Sequence, residues 1–338
     1  MNKKKLIWQL PFLLLLIVGT VLIIRQQRNM PYQKNSGMVF GTVYNLTYQC
    51  DSDLHEGIMA ELQKVDNSLS PFNEKSVITA VNQNREVVLD EMFLTVFKKA
   101  MTVSDDTQGA FDITVAPLVN AWGFGFKNGI EPTRQQVDSL RQIVGYKKVS
   151  LVDGKVIKQD PRMMLDCSAI AKGYGTDVVA NYLRSRGVKN FMVEIGGEIV
   201  TSGVNTQRLP WKIGVTKPTD DSLSVSNEIQ TILNVTDKAM ATSGNYRRFY
   251  YKDGQKFAHT IDPMTGYPVQ HSLLSATVLA KDCTTADAYA TSFMVMGIEK
   301  AQELLERHPE LMAYFIYSDE KGELAVWFSP SLKDKIVE

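Results

Sequence analysis

The sequence predicts an α+β protein with mixed or antiparallel sheets, helices on their outer faces, and one N-terminal transmembrane helix. Three observations predict it. Strand-like segments come in runs rather than in strict strand–helix alternation, which argues against a doubly wound parallel sheet. Amphipathic stretches with apolar residues at helical spacing punctuate those runs. Leu6–Ile24 is a run of 19 residues whose only strongly polar member is Gln9.

At roughly 1.5 Å per residue that run makes a helix about 28 Å long, close to the hydrocarbon thickness of a bilayer. Lys3, Lys4 and Lys5 precede it and favour a cytoplasmic N-terminus, which sends the body outward. Arg25, Gln26, Gln27 and Arg28 follow where a cleaved signal peptide would carry small residues, so the segment reads as an uncleaved anchor. Cys50 stands too far along for a lipoprotein signal. The expected organisation is an anchor over 1–24, a polar linker over 25–37 with Pro31, Asn35, Ser36 and Gly37, and a globular body over 38–338.

Within the body, Met38–Gln49 alternates and predicts a first strand. Asp51 or Ser52 can cap a helix to about Ser68, with Leu54, Ile58, Leu62 and Val65 on one face. Leu69-Ser70-Pro71-Phe72 breaks it. Glu91–Gln108 predicts a second helix stopped by Gly109, and Thr133–Val144 a third capped by Thr133. Val149–Lys158 reads as a hairpin around Asp153-Gly154. Ala169–Arg186 is helical and stops at Gly187. Phe191–Ile195, Trp211–Val215, Ile229–Val235, Arg247–Tyr251, Phe257–Ile261 and Leu273–Ala280 predict strands. Thr284–Met296 and Glu299–Arg307 are helical, and Met312–Tyr317 and Leu324–Phe328 close a sheet.

Lys plus Arg and Asp plus Glu both number 37 in 338 residues. A protein that lives on phosphate backbones shows a basic excess, so nucleic acid is excluded as the expected partner, while a small anionic ligand needs only a local patch. The cysteines Cys50, Cys167 and Cys283 are odd in number and match no zinc spacing, so they read as lone thiols.

Five polar-plus-glycine clusters interrupt the hydrophobic pattern. Phe111-Asp112-Ile113-Thr114-Val115 leads to Asn120-Ala121-Trp122-Gly123-Phe124-Gly125, where a flat ring could stack, though an aromatic–glycine turn in a core fits equally. In Asp166-Cys167-Ser168-Ala169-Ile170-Ala171-Lys172-Gly173-Tyr174, a strand ends in an acid and opens a helix whose small residues and Lys suit an anion. Asp166 as a plain helix cap remains open. Val193-Glu194-Ile195-Gly196-Gly197-Glu198-Ile199 places two glycines between apolar runs, which demands unusual backbone angles or close approach. His259-Thr260-Ile261-Asp262-Pro263-Met264-Thr265-Gly266 sets a tight turn behind a histidine, a residue type whose unperturbed pKa suits a base, and a satisfied structural histidine remains open. In Cys283-Thr284-Thr285-Ala286-Asp287-Ala288-Tyr289-Ala290-Thr291, Asp287 and Thr291 share a helix face at i and i+4, and oxygen donors of this kind suit Mg²⁺.

Taken in order, these clusters strongly resemble the FAD:protein FMN transferase (ApbE-like) family. Phe40-Gly41-Thr42 looks like that family's Met-Gly-Thr start, with Phe for Met. Leu69-Ser70-Pro71-Phe72 and Ala241-Thr242-Ser243-Gly244-Asn245-Tyr246 match further blocks. The resemblance spans about 38–330 and implies a two-lobed catalytic unit with FAD in a cleft between the halves. It puts Phe40, Phe72, Ala121, Trp122, Gly123, Asp166, Lys172 and Ile261 at flavin-binding positions. Asp287 and Thr291 fall at metal positions, joined by Ala169, whose backbone carbonyl alone could serve.

The implied reaction is Mg²⁺-dependent transfer of FMN from FAD to a Ser or Thr hydroxyl, releasing AMP, with His259 as candidate base. Acceptors would be redox-pump subunits or FMN-binding domains, at the periplasmic face of a bacterial inner membrane. A FAD pyrophosphatase using water as the nucleophile, and a non-catalytic FAD-binding protein, are the competing expectations.

Overall fold

The computed structural model describes residues 11–21, 30–125, 132–218, 228–245, 249–252 and 255–337. Residues 11–21 are helical. No helix among the described residues is long and apolar enough to cross a membrane, and the rest of the expected anchor lies outside them.

In chain order the elements are β1 (Tyr32–Val39), β2 (Thr42–Gln49), α1 (His55–Leu69), α2 (Val77–Asn82), α3 (Glu91–Asp106), α4 (Ala116–Ala121), α5 (Arg134–Arg141), β3 (Val149–Val152) and β4 (Lys155–Lys158). There follow α6 (Ala171–Ser185), β5 (Phe191–Ile195), β6 (Glu198–Ser202), β7 (Lys212–Thr216), β8 (Ile229–Asn234), β9 (Ala239–Gly244), β10 (Phe249–Lys252) and β11 (Gln255–Ala258). The last are β12 (Leu273–Ala280), α7 (Cys283–Met296), α8 (Ile298–Arg307), β13 (Met312–Ser318) and β14 (Leu324–Phe328).

The main sheet has eight strands in the order β1-β2-β5-β6-β9-β12-β13-β14. Every neighbouring pair in it is antiparallel, so the mixed alternative drops out. Alternation along each strand builds two faces. Phe191, Val193 and Ile195 of β5 join Leu46 and Tyr48 of β2 under Ile58 and Leu62 of α1 and Val179 and Leu183 of α6. Ala276 and Val278 of β12 and Phe315 of β13 pack under α3, α7 and α8. On the opposite face Met192, Ile199, Met240, Leu279 and Ile316 meet Ile213 and Val215 of β7 and Leu233 of β8. Helix α7 is buried on nearly all sides, which makes it the central element of the helical layer.

Several expectations need correction. Tyr32–Val39, read in part as linker, is a strand that pairs with Thr42–Gln49 in a hairpin whose turn is Phe40-Gly41. Phe40 has φ 51° there, so the expected single strand is two, and polarity misled because one face of β1 is open to water. Helix α1 begins at His55 with Leu54 at its cap and no side-chain cap; Asp53 instead accepts from the Tyr48 hydroxyl and the His55 amide. Thr133 does cap α5, in a reciprocal box with Gln136. Strands β6 and β9 and helices α2 and α4 went unread, being too short or too polar at their ends for periodicity to reveal them. The described cysteines are all free, two of them buried.

His308, after α8, ties the helical layer together. Its Nε2 lies 3.1 Å from Asp106 Oδ1 and its Nδ1 2.9 Å from Glu310 Oε1. The Tyr289 hydroxyl of α7 donates to Asp106 as well. Burial pulls the imidazole down, but the Glu310 and Asp106 carboxylates outweigh it and hold the pKa above the ordinary histidine value. A raised histidine contributes stability that is complete below its unfolded pKa and lost as pH rises through the folded one. Thermal melts across that interval should show the midpoint falling with pH, and His308→Gln should flatten the slope. Parallel slopes would remove His308 from the account.

Candidate active site

A cleft of about 1320 Å³ opens where the strands of the main sheet end. Six segments converge on it: the Phe40-Gly41-Thr42 turn, the end of α1 at Leu69–Phe72, the start of α6, the β5–β6 turn at Gly196–Glu198, the end of β9 at Thr242–Gly244, and the His259–Ile261 segment after β11. Asp287 and Thr291 reach it from α7.

Helix α7 is fixed at its N-terminus by two carboxylates. Asp282 accepts from the Thr285 amide at 2.8 Å. Asp177, from α6, accepts from the amides of Cys283 and Thr284, each at 2.8 Å. Both satisfy N–H groups that a helix start leaves orphaned and complement its dipole. Burial raises the pKa of Asp177 against those bonds.

One turn on, Asp287 is 2 % exposed, and its Oδ2 accepts from the Gly173 amide of α6 at 2.9 Å. A Cβ at Gly173 would collide with the Cys283 carbonyl oxygen and lie 2.7 Å from Asp287 Cβ, so the two helices meet backbone to backbone. Gly175 does the same for Phe40, whose ring occupies the space of a missing side chain. Thr291 Oγ1 lies 3.1 Å from Ser243 Oγ.

Lys172 forms an ion pair with Glu198, and Glu198 is almost wholly buried. Burial opposes the charge on Lys172, but Asp287 and Glu198 outweigh it and raise its pKa. Burial pushes the Glu198 carboxyl up to about 7, with Lys172 opposing and Asp287 adding to it. Burial likewise raises Asp287, against Lys172 and the Gly173 amide. The second Glu198 oxygen, Oε2, is buried and has no hydrogen-bond partner among the described residues. Two buried carboxylates therefore share one ammonium, and an orphaned oxygen remains; such a cluster is costly unless a further cation joins it. Carboxylate and hydroxyl oxygens are the donors a hard divalent ion takes, so the residues fit Mg²⁺.

The cleft brings together Phe40, Phe72, Asp166, Ala169, Lys172, His259, Ile261, Asp287 and Thr291. Ala121, Trp122 and Gly123 are not on its wall; Val119, Phe124 and Gly125 face it instead. Trp122 is 3 % exposed, packs with Leu118, Val137 and Ile261, and donates from Nε1 to the Gly266 carbonyl at 2.8 Å. The indole thus braces the Asp262–Gly266 turn behind His259, and it has no free face for a ring to stack on. Asp166 does not cap α6, whose cap is Ile170; its carboxylate accepts from the Ser168 amide and hydroxyl. The Phe124 and His259 rings meet edge to face at 6.4 Å.

The sequence reading missed Glu198, Gly173 and Ser243 as site residues. Glu198 stands straight after Gly196-Gly197 and before an apolar run, and an acid so placed is a signal in its own right. Gly173 and Ser243 carry no such mark; only the packing of α6 on α7 and β9 reveals them.

These features define an enzyme cleft for an extended anionic ligand held between a lysine, buried oxygen donors and a histidine. The chain belongs to the ApbE family, whose model matches residues 40–315. It is 40 % identical over 290 residues to the FAD:protein FMN transferase of Vibrio cholerae, covering 82 % of this chain and 86 % of that one. It is 37 % identical over 304 residues to the protein of that name from Haemophilus influenzae, covering 85 % and 87 %. Among solved structures, the flavin transferase ApbE from Vibrio cholerae superposes with a TM-score of 0.82 at 36 % identity, covering 90 % of this chain and 99 % of that one. The apo flavinyl transferase ApbE of Pseudomonas stutzeri gives 0.80 at 28 % identity, covering 91 % and 98 %.

Gly173→Ala tests the helix crossing. The added methyl should cost about 1–3 kcal/mol, the usual cost of overpacking, read as a lower denaturation midpoint. An unchanged midpoint would mean that α6 and α7 part freely.

Proposed function

We propose that this chain transfers FMN from FAD to a Ser or Thr hydroxyl of another protein, using Mg²⁺ and releasing AMP. The observation that carries the reading is one cleft holding Lys172, Asp287, Thr291 and His259 together, in a member of a family whose relatives bear the name FMN transferase.

Asp287 and Thr291, with the Ala169 carbonyl, would hold the metal, which when bound neutralises charge on the FAD pyrophosphate. Lys172 takes a phosphate oxygen as a point charge. Phe40, Phe72 and Ile261 offer apolar surface to the flavin or adenine rings. The acceptor oxygen attacks the FMN phosphorus, the bond to the bridging oxygen breaks, and AMP leaves with that electron pair. His259 takes the hydroxyl proton. Positioning of acceptor and FAD in one cleft supplies much of the rate.

Acceptors of this chemistry are flavin-bearing redox-pump subunits and FMN-binding domains. The lysines before Leu6–Ile24 support an anchor in a bacterial inner membrane with the body on the periplasmic side.

The full chain, incubated with FAD, Mg²⁺ and an FMN-binding domain, should add one FMN mass to that domain and release AMP. EDTA or Asp287→Ala should abolish both products. His259→Ala should slow transfer by about 10²–10⁴-fold, the range for a lost general base; an unchanged rate would remove it from that role. AMP without adduct would mean a FAD pyrophosphatase, and FAD retained intact a binding protein.

A further inference from the structure

Among the described residues, strand β7 pairs with β8 and with no other strand. The phase of that ladder is set by the Val235 amide donating to the Trp211 carbonyl at 3.0 Å and by the register Lys212↔Asn234, Ile213↔Leu233, Gly214↔Ile232. Trp211, Ile213 and Val215 therefore turn their backbone groups toward β8, and Lys212 and Gly214 turn theirs away. Among the described residues, the backbone N–H and C=O of Lys212 and Gly214 make no hydrogen bond. Both residues are exposed.

All five residues of β7 line the same cleft as Lys172, Asp287 and His259. Side chains alternate between faces, so a cavity that met only one face of β7 would touch every second residue. Contact with all five is what a cleft running along the edge of the strand gives. Val43, which is 50 % exposed, and Met192 lie on the sheet beneath it and line the cleft too. At about 1320 Å³ the cleft exceeds the roughly 300–1,000 Å³ of ordinary small-molecule pockets, which leaves space for a second occupant beside a dinucleotide.

We propose that the open edge of β7 is the acceptor-docking site, where an extended segment of the acceptor protein adds as a strand and is led toward His259. This rests on the transferase reading. The occupant is a polypeptide in extended form, because a row of unpaired amides and carbonyls at strand spacing is matched by another backbone. Apolar side chains on one face of that segment would rest on Val43 and Met192. Affinity comes from the backbone, so the site tolerates varied acceptor sequences around the modified hydroxyl.

The test uses the full chain with an FMN-binding domain as acceptor. Residue-resolved amide exchange, without FAD, should show Lys212 and Gly214 exchanging fast in the free chain and slowly with the acceptor, while Ile213 and Val215 are slow in both. Gly214→Pro removes an N–H that β8 does not use; it should raise the acceptor KM about fivefold or more, the worth of one such bond, with the Kd for FAD unchanged. Gly214→Ala keeps the N–H, with its Cβ 3.2–3.4 Å from the Ile229 side chain; it should raise the acceptor KM far less than Gly214→Pro does. If the wild-type chain flavinylates the domain but Lys212 and Gly214 gain no protection, or Gly214→Pro leaves KM unchanged, the docking site is wrong and the transferase reading stands. If the wild-type chain transfers no FMN to the domain, both fall.

Discussion

The contact between Gly173 and Asp287 governs the geometry of the site. An amide of α6 donates to a carboxylate of α7, at a crossing too close for any side chain at Gly173. The bond fixes the relative position of two helices that carry different parts of the chemistry: Lys172 on α6, Asp287 and Thr291 on α7. Asp177 repeats the link from the same helix, four residues on, by capping the first turn of α7. Two carboxylates, each accepting backbone N–H groups across one interface, set both the distance and the rotation of that pair. The sheet then supplies Glu198 and Ser243 from β6 and β9, which run beneath α7.

That arrangement explains what the sequence disclosed and what it hid. Long periodic segments were legible: α3, α5, α8, β5, β12 and β14 fall where apolar spacing and caps place them, and the family blocks sit around one cleft. The first hairpin was hidden because Phe40, a bulky residue, adopts a left-handed turn that pattern rules assign to glycine or asparagine. Trp122 is a different case. An aromatic beside a glycine can offer a ring-stacking surface or a brace, and only the bond to Gly266 from across the chain shows the indole bracing a turn. Glu198 is the more instructive case. Its importance lies in its partner Lys172, 26 residues away in sequence, and no local pattern encodes that pairing.

The electrostatics of the cleft follow from counting charges. Asp287 and Glu198 are both buried, and Lys172 is the ammonium that both of them lean on. An anionic ligand that reaches Lys172 competes with Glu198 for it. Glu198 is then left with one oxygen that already lacks a partner and a second that has lost its ion pair. With its pKa near 7, it can respond by taking a proton at little cost, whereas an ordinary glutamate would resist. Alternatively a cation entering beside Asp287 would make the potential at both carboxylates more positive and free Lys172 for the ligand. Cation and anionic ligand should therefore bind with positive coupling, each making the other's site cheaper to form. The carboxylates that are costly to bury beside one ammonium would thus be what couples the two.

The same end of the sheet also explains how one cleft can serve two macromolecular demands. Helices bury one face of the sheet, and on the other β7 and β8 cover Ile199 and Met240, while Val43 stays half exposed. The cleft wall that includes β7 also includes the turn from β5 into β6. That turn is Gly196-Gly197, both at positive φ, and it delivers Glu198 directly to Lys172. A segment lying along β7 would thus run past the glycine turn into the charged centre, without crossing the wall formed by Phe40 and Phe72 on the other side. On the proposed reading the protein segment would lie on the β7 side of the cleft and the dinucleotide against Phe40 and Phe72, all of which line it.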